Sequence, residues 1–372
     1  MTRPITTAYL NPAARRWRAE PRGGSPLEFH RSLPGYAPTP LVAVPSVAAA
    51  LGVGAVLVKD ESRRLGLSAF KILGASYAIA RALSARCGME TVGTLGELRS
   101  AFSEGGGVSL LAATDGNHGR AVAHIAALLG LRSHIFVPRG VSEQAKAAIV
   151  AEGADLVELD LSYDDVVAHV AARAGGDALL IQDTSWSGYE EVPQWIVDGY
   201  ATLLEEVDEQ LADRGFERPD LVVVPAGVGS LAQTVVERYR SFDHGPAVMV
   251  VEPRTAASVT TALHMADRVS VPTDETVMTG LNCGTVSALA WPALSNGLDA
   301  SVTVTDDQAL AAVAEMAGVG VDSGPCGAAT LAALRTAAAD EDLRATLGLT
   351  AESVVVLLNT EGTIANPKSQ QL

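Results

Sequence analysis

Lys71 is one of only four lysines in 372 residues, the others being Lys59, Lys146 and Lys368. It stands where the chain changes character. Before it runs a polar loop broken by glycine, Glu61 to Ser68; after it runs an apolar, small-residue stretch with helical spacing (Leu73, Tyr77, Ala80, Leu83). A buried amine at the positive end of a helix dipole is disfavoured as an ammonium, which makes it a better nucleophile. That is the chemistry of a Schiff-base lysine. A lysine that snorkels its head into water is the plainer reading. Against it stand Phe70 directly before Lys71 and Gly74 and Ala75 one turn on, which predict close packing on that face.

Four loops after apolar strands supply the other candidate groups, at the strand ends where open α/β sheets bind ligands. In Thr114-Asp115-Gly116-Asn117-His118-Gly119, helix-start N–H groups suit a carboxylate, and Asn117 could bond a phenolic oxygen. Asp115 reads as a helix N-cap or as a proton-handling carboxylate, and His118 as a satisfied structural histidine or a substrate contact. In Pro225-Ala226-Gly227-Val228-Gly229-Ser230-Leu231 two glycines allow close approach to a phosphate, and Ser230 adds a donor. Ala232 replaces the third glycine of a dinucleotide fingerprint, so a single phosphate or a plain tight turn fits better. Asp183, in Gln182-Asp183-Thr184-Ser185-Trp186, is a cap or a second acid/base. In Asn359-Thr360-Glu361-Gly362-Thr363 a hydroxyl could bond a ring nitrogen, or the stretch is simply a polar strand end.

The elements that must position these groups alternate regularly. Residues 1 to 40, rich in Pro, Arg and Gly, read as an extended arm that packs on the body or on a partner subunit. Residues 45–51 read as a helix and 55–59 as a strand; 91–108 read as a hinge or surface excursion. Then strands at 109–113, 133–137, 155–159 and 178–182 alternate with helices at 119–129, 142–152 and 164–174. A long helix at 196–211 leads to a second series: strand 221–225, helix 231–239, strand 248–252, a less regular 254–300, helices 307–317 and 327–338, and strand 354–358. Short, continuously apolar strands alternating with helices mean parallel sheets covered on both faces. The expectation is two open α/β lobes with mostly parallel sheets and a ligand in the cleft between them. Residues 1–75 and 200–372 are assigned to a larger domain and 76–199 to a smaller one.

Composition narrows the partners. Hydrophobic residues make up 48% and charged residues 19% of the chain, enough for a full core. A net charge of −16 argues against nucleic acid and anionic membranes as partners. Cys87, Cys283 and Cys326 are odd in number and widely spaced, with no metal-ligand pattern, so no metal is expected. The chain shows no signal-peptide core and no apolar run of about 18 residues, and a soluble, cytoplasmic protein is expected.

Taken in order, Lys71, the GNHG loop and the phosphate-type glycine loop resemble the fold type II pyridoxal-phosphate enzymes, the tryptophan-synthase-β-like group. Within that group the blocks HRSLPGYAPTPL (30–41), VKDESRRLGLSAFKILGASYA (58–78), ATDGNHGRAVA (113–123), IQDTSWSGYEEVPQWIVDGY (181–200), PAGVGSLA (225–232), MTGLNCGTVS (278–287) and NTEGT (359–363) are most similar to the diaminopropionate ammonia-lyases. The serine/threonine dehydratases of the same fold carry a serine in place of Asp115. The resemblance implies pyridoxal 5'-phosphate as cofactor, with Lys71 as its Schiff-base lysine and Phe70 beside it. Asn117 then lies at the cofactor's 3' oxygen, and Gly227, Val228, Gly229, Ser230 and Leu231 at its phosphate. Asn359 or Thr360 falls at the ring nitrogen; the family pattern usually has a serine at 359 and an aspartate after Gly362, where this chain has Thr363. Asp115 and Asp183 become acid/base carboxylates on opposite faces, and Thr114, Asp115, Gly116, His118 and Asp183 substrate contacts. The implied reaction is α,β-elimination of D- and/or L-2,3-diaminopropionate to pyruvate and two ammonia. The alternative is a serine/threonine-type dehydratase or another β-eliminating lyase acting on a substituted diamino acid. A homodimer is implied.

Overall fold

The computed structural model of the protein describes residues 8–20, 24–103, 107–114 and 116–365. They form two units. The first comprises the described part of the first 23 residues, Pro38–Arg63 and the chain from Leu203 onward; the second comprises Gly24–Ala37 and Arg64–Thr202.

Eleven strands are named in chain order: β1 (Ala8–Leu10), β2 (Leu41–Ala43), β3 (Ala55–Asp60), β4 (Ser109–Ala113), β5 (Arg132–Pro138), β6 (Asp155–Leu159), β7 (Ala178–Leu180), β8 (Leu221–Pro225), β9 (Ala247–Pro253), β10 (Ala300–Val304) and β11 (Val354–Asn359). In the first unit the sheet order is β1-β10-β9-β8-β11-β3-β2. Its centre is parallel, and the short edges β1 and β2 run antiparallel to β10 and β3. The central strands β8, β9 and β11 are buried at every residue, as runs such as LVVV and VVVLL require when both sheet faces are covered. Their core joins Val56, Val223, Met249 and Leu357 to Leu331 and Leu334 of the Pro325–Ala339 helix. The second unit holds an all-parallel sheet of order β6-β5-β4-β7. Its main core gathers Ile72, Ile79 and Leu83 with Leu110, Val122, Ile125 and Ile135. The expected α/β class with mostly parallel sheets is borne out.

Several expectations are corrected. The first forty residues are no simple extended arm: Ala8–Leu10 is an edge strand on β10, and Leu27–Arg31 is a short helix. His30 of that helix is fully buried. Its Nε2 lies 3.0 Å from the Leu73 carbonyl and its Nδ1 2.7 Å from Thr202 Oγ1. A carbonyl only accepts, so Nε2 carries a proton directed at Leu73, and Nδ1 shares a hydrogen bond with the Thr202 hydroxyl. The excursion at 91–108 contains a helix, Leu95–Ser103, with Leu95 and Leu98 buried; Gly105 and Gly106 lie outside the described residues. The irregular 254–300 stretch contains helices Ser258–Met265 and Trp291–Gly297.

The long helix expected at 196–211 is two helices, Glu191–Gly199 and Ala201–Ala212. At the break, a Cβ on Gly199 would lie 2.6 Å from the Leu73 carbonyl oxygen and 2.9 Å from Gly74 Cα. On the other side of the contact, a Cβ on Gly74 would lie 2.6 Å from the Tyr200 ring. The helix that begins at Lys71 therefore lies against bare backbone. Gly199→Ala is expected to lower stability by about 1–3 kcal/mol through overpacking against main chain that cannot rotate away, measured as a lower urea midpoint at unchanged slope.

Candidate active site

Lys71 is the first residue of the Lys71–Arg86 helix, and Phe70 occupies its N-cap position without a side-chain cap. The helix start thus carries the amine, and packing rather than capping fixes it: the Phe70 ring lies 4.8 Å from that of Tyr200. Lys71 Nζ donates to Asp183 Oδ2 at 2.6 Å, with 24% of the lysine and 10% of the aspartate side chain exposed. The two candidates 112 positions apart in sequence are therefore in direct contact. Burial and the helix dipole are not the only influences on the amine, because a carboxylate stabilises its ammonium form. Burial pushes the Asp183 carboxyl up, but the charges of Lys71 and His118 outweigh it and hold the group well below the usual carboxylate range.

His118 is buried, with Nε2 2.8 Å from the Ile181 carbonyl and Nδ1 3.9 Å from Asp183 Oδ2. It fills the structural role and also faces the acid. The strand end that carries Asp183 is tied down on both sides. Gln182 Oε1 accepts from Ala113 N (3.0 Å), Gln182 N donates to the Tyr189 hydroxyl (3.0 Å), and that hydroxyl donates to the Leu180 carbonyl (2.8 Å). Sequence reasoning assigns no role to Gln182 or Tyr200. Burial pushes the Tyr200 phenol up, so it stays protonated beside Lys71 and Asp183.

Asp115 lies outside the described residues. In the rest of its loop, Thr114 Oγ1 accepts from the N–H groups of Gly116 (3.0 Å) and Gly119 (3.1 Å). Two donors expected to face a ligand are thus used within the loop, and the carboxylate receptor is narrower than the sequence suggests. Asn117 and His118 open the Asn117–Leu129 helix. A Cβ on Gly119 would sit 2.2 Å from Thr114 Cγ2, which explains the glycine.

In the first unit, Gly227–Gly229 join β8 to the Ser230–Arg240 helix. Gly229 has φ +97°, a left-handed conformation that suits glycine. A Cβ on Gly227 would lie 3.0 Å from Cys283 Sγ and from the Gly280 carbonyl, so the 278–284 stretch backs the turn. Among the described residues no backbone carbonyl accepts the N–H of Gly227, Val228 or Gly229. Ser230 and Leu231 begin the helix itself. A row of amides at a helix start is a donor set for a phosphate.

The end of β11 is held by side-chain hydrogen bonds. Asn359 stands opposite Asp60 in register. It donates through Nδ2 to Asp60 Oδ1 (2.9 Å) and to the Asp322 carbonyl (2.8 Å), and its Oδ1 accepts from Ser323 Oγ (2.7 Å). Both amide hydrogens are given within the unit, and the buried Thr360 follows with a hydroxyl. A Cβ on Gly327 would meet Asn359 Oδ1 at 1.9 Å. Gly327→Ala is therefore expected to cost about 1–3 kcal/mol, and the shorter side chain of Asn359→Ser to recover most of it; urea unfolding of the single and double variants checks this.

A family model described as "Pyridoxal-phosphate dependent enzyme" matches residues 33–361. The chain belongs to this family. The diaminopropionate ammonia-lyase of Salmonella typhimurium is 36% identical over 364 residues, covering 91% of this chain and 89% of that protein. The crystal structure of the Escherichia coli diaminopropionate ammonia-lyase, in complex with an aminoacrylate-PLP azomethine reaction intermediate, aligns with TM-score 0.82 and 32% identity. It covers 93% of this chain and 90% of that one. The L-threonine dehydratase of Corynebacterium glutamicum is 30% identical over only 46% of this chain and 38% of that protein. Family and fold type agree with the expectation from the motifs, and the cofactor is pyridoxal phosphate. Each unit has residues of the chemistry the cofactor needs: in the second, the Lys71 amine at a helix start; in the first, a turn whose amides no backbone carbonyl takes among the described residues, and the buried hydroxyl of Thr360. Among the described residues no cluster of three or more His, Cys, Asp or Glu could hold a metal, and no helix is long and apolar enough to cross a membrane.

Proposed function

We propose that this chain is an ammonia-lyase that eliminates the β-amino group of D- and/or L-2,3-diaminopropionate, giving pyruvate and two ammonia. The observation that carries the reading is the Lys71 Nζ–Asp183 Oδ2 contact at 2.6 Å, in a chain matched by ammonia-lyases along nine tenths of its length. When bound, pyridoxal phosphate supplies an electron sink for the carbanion left at the substrate's α-carbon. Lys71 is the amine that holds the cofactor. To act as a nucleophile it must lose a proton to solvent, against the pull of the ionised Asp183 beside it. Held ionised, Asp183 then accepts the substrate's α-hydrogen from one face. Asp115 serves the other face, which allows both enantiomers. The amides of 227–231 hold the phosphate, Asn117 the 3' oxygen and Thr360 the ring nitrogen, with Phe70 packed beside the lysine. Thr114, Gly116 and His118 shape the substrate end.

Two carboxylates suit a β-ammonium better than a hydroxyl, because a charge-assisted hydrogen bond favours the diamino acid by about 2 kcal/mol. The reading includes a homodimer in the cytoplasm. The test supplies D- and L-diaminopropionate, serine and threonine to the purified holoenzyme and measures keto-acid release. Pyruvate from the diamino acid at a kcat/KM at least about tenfold above serine is expected; faster release from serine or threonine would make the chain a dehydratase.

A further inference from the structure

The N-terminal segment brings arginines to a cavity of about 380 Å³ in the first unit, lined in part by Arg15, Arg18, Arg240 and Phe242. The segment is anchored there: the Trp17 ring covers Gly297, where a Cβ would lie 2.7 Å from it, and Ala19 N donates to the Arg240 carbonyl at 3.2 Å. Arg240 is the last residue of the Ser230–Arg240 helix and is almost wholly buried. Its Nε and Nη1 donate to the carbonyls of Gly297 (2.9 Å) and Pro246 (2.8 Å), and its Nη2 to Asp299. Arg15 Nε uses the same carboxylate at 2.9 Å, while its Nη2 donates to the carbonyls of Thr346 and Leu347. Among the described residues Arg18 donates to carbonyls, those of Arg15, Trp17 and Asp243. Two guanidinium groups, those of Arg15 and Arg240, thus share the buried Asp299 carboxylate, and Arg18 lines the same cavity. The rim adds His244 and the exposed carboxylate of Asp243.

This local excess of positive charge runs against a chain of net charge −16. Three arginines against the two carboxylates of Asp299 and Asp243 leave a surplus of positive charge, and like charges held together repel one another. Burial and the charges of Arg15 and Arg18 both push the Arg240 guanidinium below its usual range, against the pull of Asp299. A planar fork of N–H donors is matched by the oxygens of a phosphate, and the volume suits a small ligand.

We propose that this arginine-lined cavity binds a phosphate dianion, either free or as a phosphomonoester, at a place separate from the cofactor's phosphate turn. The exposed Phe242 ring on the cavity wall offers an apolar surface to the organic part of a monoester. The proposal stands apart from the lyase reading and is tested without turnover.

Isothermal titration of the holoenzyme, whose cofactor already fills the 227–231 turn, uses inorganic phosphate and phenyl phosphate as probes, against potassium chloride at matched ionic strength. One saturable site per chain is expected, weakened about tenfold or more in Arg18→Ala and also weakened in His244→Ala, at unchanged cofactor content. Tighter binding of phenyl phosphate that is lost in Phe242→Ala assigns a phosphomonoester; equal affinity for the two probes assigns free phosphate. No saturable heat, or equal affinity in wild type and both rim variants, overturns the proposal.

Discussion

Replacing Lys71 with alanine is expected to lower pyruvate release by roughly a thousandfold or more and to leave the purified protein without the visible absorbance of lysine-held cofactor. The substitution also removes the cation from Asp183. In the cofactor-free wild type the carboxyl is held below its ordinary value of 3.8. The unfolded chain therefore binds more protons than the folded one in that range. The group's contribution to stability is complete above about pH 5 and is lost as pH falls through and below about 4. Without Lys71, burial is left as the main influence, and it acts in the opposite direction. The folded variant then binds the extra proton, so acidification relieves it. Cofactor-free Lys71→Ala should be less stable than wild type by about 2 kcal/mol at neutral pH, a figure already reduced for the partial exposure of the lysine. The deficit should shrink steadily towards pH 3. Urea midpoints of the two proteins across pH 3–8 measure it, and a deficit independent of pH would mean that the pair does not set the protonation of Asp183.

Which parts of this site could be read from the chain follows from how far each interaction reaches. Lys71 was legible because lysine is rare here and its neighbours Phe70, Gly74 and Ala75 are local. Its contact with Asp183 was not, because it depends on the Lys71–Arg86 helix lying against the Glu191–Gly199 helix through two glycines. Gly74 and Gly199 signal close approach, but each alone could have been any helical glycine. The glycine turn at 227–229 was legible since amides at a helix start need no distant partner. The commitment of Asn359 was hidden, because Ser323, Asp322 and Asp60 reach it from two other segments. Thr114 shows the reverse error: a short hydroxyl one turn before a helix takes nearby amides for itself, and donors counted as free from the sequence were already used.

The same distinction explains the fold. Long apolar runs such as those of β8, β9 and β11 announce buried parallel strands, and their positions agree with expectation to within a residue. Strands β1 and β2 are three residues long, too short to carry a period, and exist because a neighbouring strand offers them an edge. The helix at Leu95–Ser103 was concealed by the glycines that follow it, although Leu95 and Leu98 sit one turn apart.

Asp183→Asn separates the two uses of this carboxylate. Asparagine keeps the size and can still accept from Lys71, but it can neither take a proton nor hold a negative charge. Elimination from the enantiomer whose α-hydrogen faces Asp183 should fall by roughly 10²–10⁴-fold, while the other enantiomer, served by Asp115, keeps most of its rate; Asp115→Asn should give the converse. Loading of the cofactor should survive in Asp183→Asn, since Lys71 is intact. Loss of the charge that stabilises its ammonium leaves burial and the helix dipole to favour the free amine, so loading at neutral pH should be no slower than in wild type. Stopped-flow absorbance of the cofactor-free variant mixed with pyridoxal phosphate, followed by pyruvate assays with each enantiomer, reads both steps on one sample. Retained loading with enantiomer-selective loss of turnover places Asp183 on the substrate's proton. Equal loss for both enantiomers together with slow loading would instead place its main role on the proton of Lys71.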